Sequence, residues 1–334
     1  MKKFIILMII VCLAAGCLSA CSAGSIRPDP ETDKIQIVTT IFPEYDWVLN
    51  ILGENPANAD VTMLLDTGVD LHSFQPTAED ILKISSCDLF LYVGGESDEW
   101  VDDALQEAAN KDMLVISLLD VLGDAAKEEE LVEGMQEEEH DHEHEGEDHD
   151  HEEEEEEYDE HVWLSLRNAA ALVERISQAI EKLDPENADF YKKNTAAYAE
   201  QLNALDAAYR AAVTSASFDT LLFGDRFPFR YLADDYGLSY YAAFVGCSAE
   251  TEASFETISF LSQKVDELSL PAVMTIEGTD RRIAETIVQN TQTKDQKILT
   301  LDSMQATTAQ DAESGTTYLS VMEKNLSVLK DALK

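Results

Sequence analysis

The side chains best equipped for chemistry in this 334-residue sequence are its histidines, because there are only seven and they are unevenly placed. Five lie within a few residues of one another, in His140-Asp141-His142-Glu143-His144 and His149-Asp150-His151. Neutral imidazole suits zinc, copper and nickel, and interleaved carboxylates raise the local cation concentration and offer further ligands. A stretch of this composition cannot build a core, so residues 124–158 read as a disordered, acidic, metal-gathering loop. The plainer reading, a solvated acidic linker with incidental histidines, is disfavoured by how sparse histidine is elsewhere. The other two are His72, in Gly68-Val69-Asp70-Leu71-His72-Ser73-Phe74-Gln75-Pro76-Thr77, and His161, in Asp159-Glu160-His161-Val162-Trp163-Leu164-Ser165. Either alone would pass for an ordinary loop histidine. Beside the tract, the pair become candidate metal ligands. No His-Glu-x-x-His segment and no Gly-x-Ser-x-Gly elbow is present, so hydrolytic chemistry is not expected and the chain does not read as an enzyme. The formal net charge is −44, and Glu128 to Glu160 alone holds 21 acidic residues with no Lys or Arg. Such a chain will not bind nucleic acid through its phosphates; it attracts cations instead.

The elements that must position these residues follow an alternation of short aliphatic runs and amphipathic helices. Strands are expected at Ile35 to Thr40, Val61 to Leu65, Leu89 to Val93 and Met113 to Ser117. Helices are expected at Pro43 to Leu52, between a starting proline and Gly53, from Ala78 behind Thr77, and from about Asp98 to Ala109. That is a doubly wound α/β lobe, residues 34–183, completed by a helix from Arg167 to Leu183. His72 then sits on a loop at a strand C-terminal end, the side where such sheets bind ligands. A long helix over 184–214 carries Tyr191, Tyr198, Leu202, Leu205, Tyr209 and Val213 at helical spacing and can bridge two lobes. A second alternation, residues 215–334, places strands near Leu221 to Phe223, Tyr240 to Phe244, Ala272 to Ile276 and Lys297 to Leu301. The fold class is therefore α/β, two doubly wound βα lobes joined by a long rigid helix, with the metal site in the cleft between them. No internal sequence repeat accompanies this architectural symmetry.

The first residues indicate where the chain works. Lys2 and Lys3 precede an apolar run from Phe4 to about Leu18, the layout of a secretory signal and too short for a comfortable membrane span. Leu18-Ser19-Ala20-Cys21 resembles the lipobox of bacterial lipoproteins. Residues 1–20 are then the signal peptide, Cys21 the lipid anchor at the outer face of the cytoplasmic membrane, and residues 21–33 a flexible tether. Cys17 is a second candidate but lacks the preceding large aliphatic residue. Cys87 and Cys247 remain for the folded part; one bridge is possible, though buried free thiols are the favoured reading.

Nearly the whole mature sequence resembles the zinc and manganese solute-binding lipoproteins of ABC importers. The resemblance rests on Gly68-Val69-Asp70-Leu71-His72 running into Pro76-Thr77, and on Asp159 to Leu164 leading into Arg167-Asn168-Ala169, with weaker support from Thr317-Tyr318 and Met322 to Leu326. It implies that His72 and His161 are the ligands of the first lobe, and that the His-rich loop before the second histidine marks a zinc-importing member. In the second lobe the matching stretch is Asp225-Arg226-Phe227-Pro228-Phe229-Arg230-Tyr231. A gap-free count lands on Arg226, whose guanidinium has no lone pair for a metal. A one-residue shift makes Asp225 the ligand; otherwise Arg226 pairs with a carboxylate and the lobe contributes less. Asp302 is the candidate fourth ligand, Gln305 the reserve, and Glu277 a third option more in keeping with a structural role. By this resemblance the chain is a monomer that captures Zn2+, with Mn2+ as second choice, and delivers it to an ABC permease. The family alternatives are manganese binding and a surface adhesin role.

Overall fold

In the computed structural model the described residues are 34–136, 157–248 and 252–334. Two four-stranded parallel sheets organise them. The first is built from β1 (Gln36–Thr39), β2 (Asp60–Met63), β3 (Leu89–Tyr92) and β4 (Leu114–Ser117) in the order β2-β1-β3-β4. The second is built from β5 (Thr220–Phe227), β6 (Ser239–Val245), β7 (Ala272–Ile276) and β8 (Lys297–Leu301) in the order β6-β5-β7-β8. The two lobes thus repeat one winding, without a repeat in sequence. The central strands are apolar on both faces, as Leu89-Phe90-Leu91 and Ala272 to Ile276 are, because helices cover both sides of a parallel sheet.

The second sheet has one irregularity. Between Phe223 and Arg226 the register of β5 on β6 shifts, so that β5 carries one more residue than its partner. This is a β-bulge, which bends the strand and re-aims its side chains. The strand continues past it to Phe227, beyond the end at Phe223 that the sequence pattern suggests, because Gly224-Asp225-Arg226 interrupts the continuous apolar run by which a strand of a parallel sheet is recognised.

The Ala188–Thr214 helix, entered through a single 3-10 turn at Pro185–Asn187, is 27 residues or ~40 Å long. Its Tyr198 hydroxyl donates to Asp46 in the first lobe at 3.3 Å, and its Tyr209 hydroxyl to the Met322 carbonyl in the second at 2.6 Å. The lobes also share one hydrophobic core that includes Trp163, Tyr198, Phe223 and Met322. The Trp163 indole donates to the Ser303 carbonyl at 2.8 Å, and the Tyr318 hydroxyl to the Trp163 carbonyl at 2.6 Å.

The acidic segment begins in an ordered way. Expected as disordered from 124 onward, the chain instead pairs Glu128 antiparallel with Tyr158, with Glu129 N–H donating to the Glu157 carbonyl at 2.8 Å. Gln136 N–H donates to the Ala243 carbonyl at 2.9 Å, and Glu130 pairs with Arg230. Composition marks this stem as unable to make a core; it needs none, because backbone pairing and second-lobe partners distant in sequence hold it.

Candidate metal centre

His72 lies on a one-turn 3-10 helix, Leu71–Ser73, in the loop after β2. Asp70 caps the turn, its Oδ1 accepting from His72 N–H at 3.1 Å. The His72 Nδ1 is 2.8 Å from Ser97 Oγ and 3.3 Å from Glu160 Oε2, and the other Glu160 oxygen accepts from the Ser97 amide at 2.8 Å. His161, fully buried, precedes the Val162–Leu164 turn that leads into the Leu166–Leu183 helix. That helix is capped by Ser165, whose hydroxyl accepts from Asn168 N–H and donates to Asp235 of the second lobe. Asp159 Oδ1 accepts from both His161 N–H at 2.9 Å and His161 Nδ1 at 3.0 Å.

Both rings therefore have Nδ1 committed as a donor to a carboxylate or hydroxyl, which leaves the lone pair on Nε2. The two Nε2 atoms face one another at 3.2 Å. Two lone pairs at that distance repel unless a proton or a metal cation lies between them. Burial alone would push the His161 imidazolium down, yet the Asp159 carboxylate outweighs it and holds the group above its ordinary value. Glu160 is held below the ordinary carboxylate range: burial pushes it up, and His72 and Ser97 more than offset that.

The second lobe brings a different donor to this pair than the sequence suggests. The Sγ of Cys247, two residues past the end of β6, joins His72 and His161 in a group whose ligand atoms all lie within 4.8 Å of one another. Gly246 makes the approach possible: a Cβ there would lie 3.2 Å from two atoms of the His161 ring. Burial, Asp159, Glu129 and Glu160 hold the Cys247 thiol well above its ordinary value. In the sequence Cys247 reads as a buried thiol or one half of a bridge to Cys87, since nothing local connects it with either histidine; both cysteines are free in the structure.

Asp225 and Asp302 lie outside this group. The bulge turns the Asp225 carboxylate toward β7, where it accepts from Ile276 N–H at 3.2 Å and Thr279 Oγ1 at 2.8 Å. Asp302 Oδ1 accepts from Met304 N–H at 3.0 Å. Glu277 is engaged by the Ser303 amide and hydroxyl and by the Gln305 amide, tying the ends of β7 and β8 together; the Gln305 Oε1 is buried without a hydrogen-bond partner among the described residues. Arg226, which the bulge aims into the cleft, pairs with Asp70 across the lobes and donates from Nη1 to the Ser248 carbonyl at 3.3 Å. Burial would raise Asp70, but Arg226 outweighs it and keeps the carboxyl below its usual range. A cleft of about 570 Å³ opens alongside, lined by Asp70, Ser73, Arg226, Ser248 and Glu277 among others. His140, His142, His144, His149, His151 and Cys21 lie outside the described residues.

Two parallel sheets of the same winding, braced by one helix, with a facing histidine pair, His161 buried and His72 half-buried, at their junction, define a two-lobed α/β binding protein. The chain belongs to the family described as zinc-uptake complex component A, periplasmic, whose model matches residues 37–332. It is 31% identical over 321 residues to the high-affinity zinc uptake system protein ZnuA of Bacillus subtilis, covering 96% of this chain and 94% of that one. It is 32% identical over 330 residues to the zinc-binding lipoprotein AdcA of Streptococcus pneumoniae, covering 99% of this chain but only 61% of that longer protein. The solved Zn(II)-bound ZnuA-like domain of S. pneumoniae AdcA superposes with a TM-score of 0.68 at 29% identity, over 90% of this chain and 99% of that one.

Proposed function

We propose that this chain is the extracytoplasmic substrate-binding lipoprotein of a metal ABC importer, capturing zinc in preference to manganese and handing it to the membrane permease. The observation that carries the proposal is the pair of Nε2 atoms of His72 and His161 at 3.2 Å, each with its Nδ1 anchored. Anchoring by a carboxylate fixes the tautomer, aims the lone pair and raises ligand basicity. The metal is cargo here: the protein binds it, shields it and releases it, and performs no bond chemistry on it. The names of the zinc-binding relatives support the choice of ion. In the same reading His140, His142, His144, His149 and His151 gather weakly held zinc and pass it to the His72 and His161 site, and lipid on Cys21 anchors the chain to the membrane.

Metal analysis of protein purified without added metal, followed by competition between zinc and manganese, tests the proposal. One tightly held zinc per chain, lost on His72→Ala or His161→Ala, is the expected outcome. Stable manganese occupancy with zinc excluded would overturn the choice of ion.

A further inference from the structure

We infer that Cys247 is the second lobe's metal ligand, so that the cargo ion is held by two imidazoles and one thiolate, His72, His161 and Cys247. This deepens the zinc-capture reading and rests on it. Three observations converge. The three donor atoms lie within 4.8 Å of one another, so a single ion can touch all three. The position that a gap-free match assigns to a second-lobe ligand is occupied by Arg226, which has no lone pair to give and is committed to Asp70 and the Ser248 carbonyl. The two loops that deliver His72 and Cys247 are equivalent in the fold: each follows the edge strand, β2 or β6, that lies beside the first strand of its sheet. The same winding therefore presents one donor from each lobe to the cleft.

The contrast with the other cysteine of the folded part separates a ligand from ordinary packing. Cys87 is fully buried, its Sγ donating to the Ile84 carbonyl at 3.2 Å and lying 3.2 Å from the Met113 sulfur, outside the group that holds both histidines. Cys247 is set among polar groups. Its amide donates to Glu129 Oε1 at 3.0 Å, and the charges of Asp159, Glu129 and Glu160 act on its thiol. A thiol used as a small hydrophobe has no use for such neighbours. A metal-bound sulfur does, because hydrogen bonds around the first shell hold its ligands in place. Arg226 acts as a positioning residue: one guanidinium reaches the residue two before His72 and the residue after Cys247, and so sets the span between the two donors.

On capture the Cys247 S–H bond breaks, its proton leaves to solvent, and the sulfur lone pair forms the bond to the ion; no electron is transferred. A thiolate is a soft ligand that favours zinc over manganese, which prefers oxygen donors. Selectivity for zinc then comes from the cleft itself as well as from the His-rich tract. Three protein ligands leave the fourth position of a tetrahedral zinc to an exchangeable ligand, which suits an ion that must be passed on.

The test is X-ray absorption and electronic spectroscopy on the full chain loaded with one equivalent of Zn2+ or Co2+, alongside Cys247→Ser and Cys87→Ser. The expected result is one sulfur at ~2.3 Å in the zinc shell, with a sulfur-to-cobalt charge-transfer band in the near ultraviolet. Both should be lost in Cys247→Ser and kept in Cys87→Ser. Zinc affinity of Cys247→Ser should fall at least ~10–100-fold, the range already met when only an outer partner of a ligand is removed. Manganese affinity should change far less. A zinc shell of nitrogen and oxygen alone in the unmodified protein, with tight binding still dependent on His72 and His161, would overturn the thiolate and leave zinc capture standing. Absence of any tight zinc would instead defeat the functional reading on which it rests. The unmodified protein supplies the deciding spectrum, so the test survives a variant that fails to fold.

Discussion

Removing the carboxylate behind His161 isolates what anchoring contributes to metal capture. Asp159 is almost fully buried, and a single oxygen holds both the His161 amide and Nδ1, at 2.9 and 3.0 Å. Asp159→Ala frees Nδ1 to lose its proton, so the tautomer that aims Nε2 at His72 is no longer enforced. Asp159→Asn keeps an oxygen for Nδ1–H but loses the charge that makes the imidazole a better donor. Loss of an outer-shell partner weakens a metal site by ~10–100-fold, or ~1.4–2.7 kcal/mol. Asn is expected near the lower bound and Ala near the upper. Protons compete with the metal for His161, and Asp159 strengthens that competition by raising the imidazolium. The comparison should therefore be made at pH 8, with a chromophoric chelator competing for the tightest zinc equivalent of stripped protein. At pH 6 the deficit should shrink, because the unmodified protein then carries the heavier proton competition. Zinc affinity of Asp159→Ala within about twofold of the original at pH 8 would refute the argument that anchoring poises the pair.

The His-rich tract should be separable from the tight site if only residues 137–156 are replaced by a short linker, because the stem around Glu128 and Tyr158 is structural; total zinc stoichiometry should fall while one tight equivalent remains, and loss of that equivalent would refute separate sites. Metal-free protein should lose stability as pH rises from about 4 to about 8, the reverse of ordinary acid denaturation. Burial, with Asp98 nearby, pushes Glu44 up to about 8; burial, with Glu160 nearby, pushes Asp98 up to about 7; and burial pushes Asp46 up to about 6. Across that window the folded chain binds more protons than the unfolded one, so the slope is negative, with Glu44 alone setting a ceiling of ~5 kcal/mol. Urea titrations at pH 5 and pH 8 check this; Glu44→Gln should flatten the difference, and stability that climbs toward pH 8 would refute it. Arg226→Met should lower thermal stability by breaking the inter-lobe pair with Asp70, and should loosen the span that the guanidinium sets between the His72 turn and the Cys247 loop. Zinc affinity measured alongside Tm should therefore fall, and an affinity that holds or rises would contradict the positioning role of Arg226. Because the lobes share a core and the Trp163–Ser303 and Tyr318–Trp163 bonds, metal-free and zinc-loaded protein should agree to within about 1 Å over backbone; small-angle scattering showing a wide hinge opening would contradict this.

What could be read from the sequence was local in origin. His72 and His161 each sit in a short segment whose turn and caps are made by its own neighbours, Asp70 for one and Asp159 and Ser165 for the other, so residue type and spacing carry the information. The parallel strands were legible for the same reason: continuous aliphatic runs such as Leu89 to Leu91 need no partner to be recognised. The second lobe's contribution was not legible, because it depends on relations between distant segments. The choice between Asp225 and Arg226 that a one-residue shift left open corresponds to a bulge in β5. That bulge turns Asp225 to Ile276 and Thr279 and sends Arg226 into the cleft. A bulge leaves no composition signal, and it inverts which of two adjacent residues faces the site.

Cys247 does not read as a ligand in the sequence because its neighbours in space, His72 and His161, are 175 and 86 positions away in the chain, and it is the equal winding of the two sheets that brings the β2 and β6 loops together. The consequence for specificity comes from donor chemistry. Two imidazoles with carboxylates from Asp225 and Asp302 would form a site of mixed hardness, and the preference for zinc would have to come from the tract. Two imidazoles with a thiolate move that preference into the cleft, where it acts on the ion actually delivered. Arg226 then has a physical reason to stand where it does. Its guanidinium ties the His72 turn, through Asp70, to the Cys247 loop, through the Ser248 carbonyl, and so holds the nitrogen and sulfur donors of the two lobes in register.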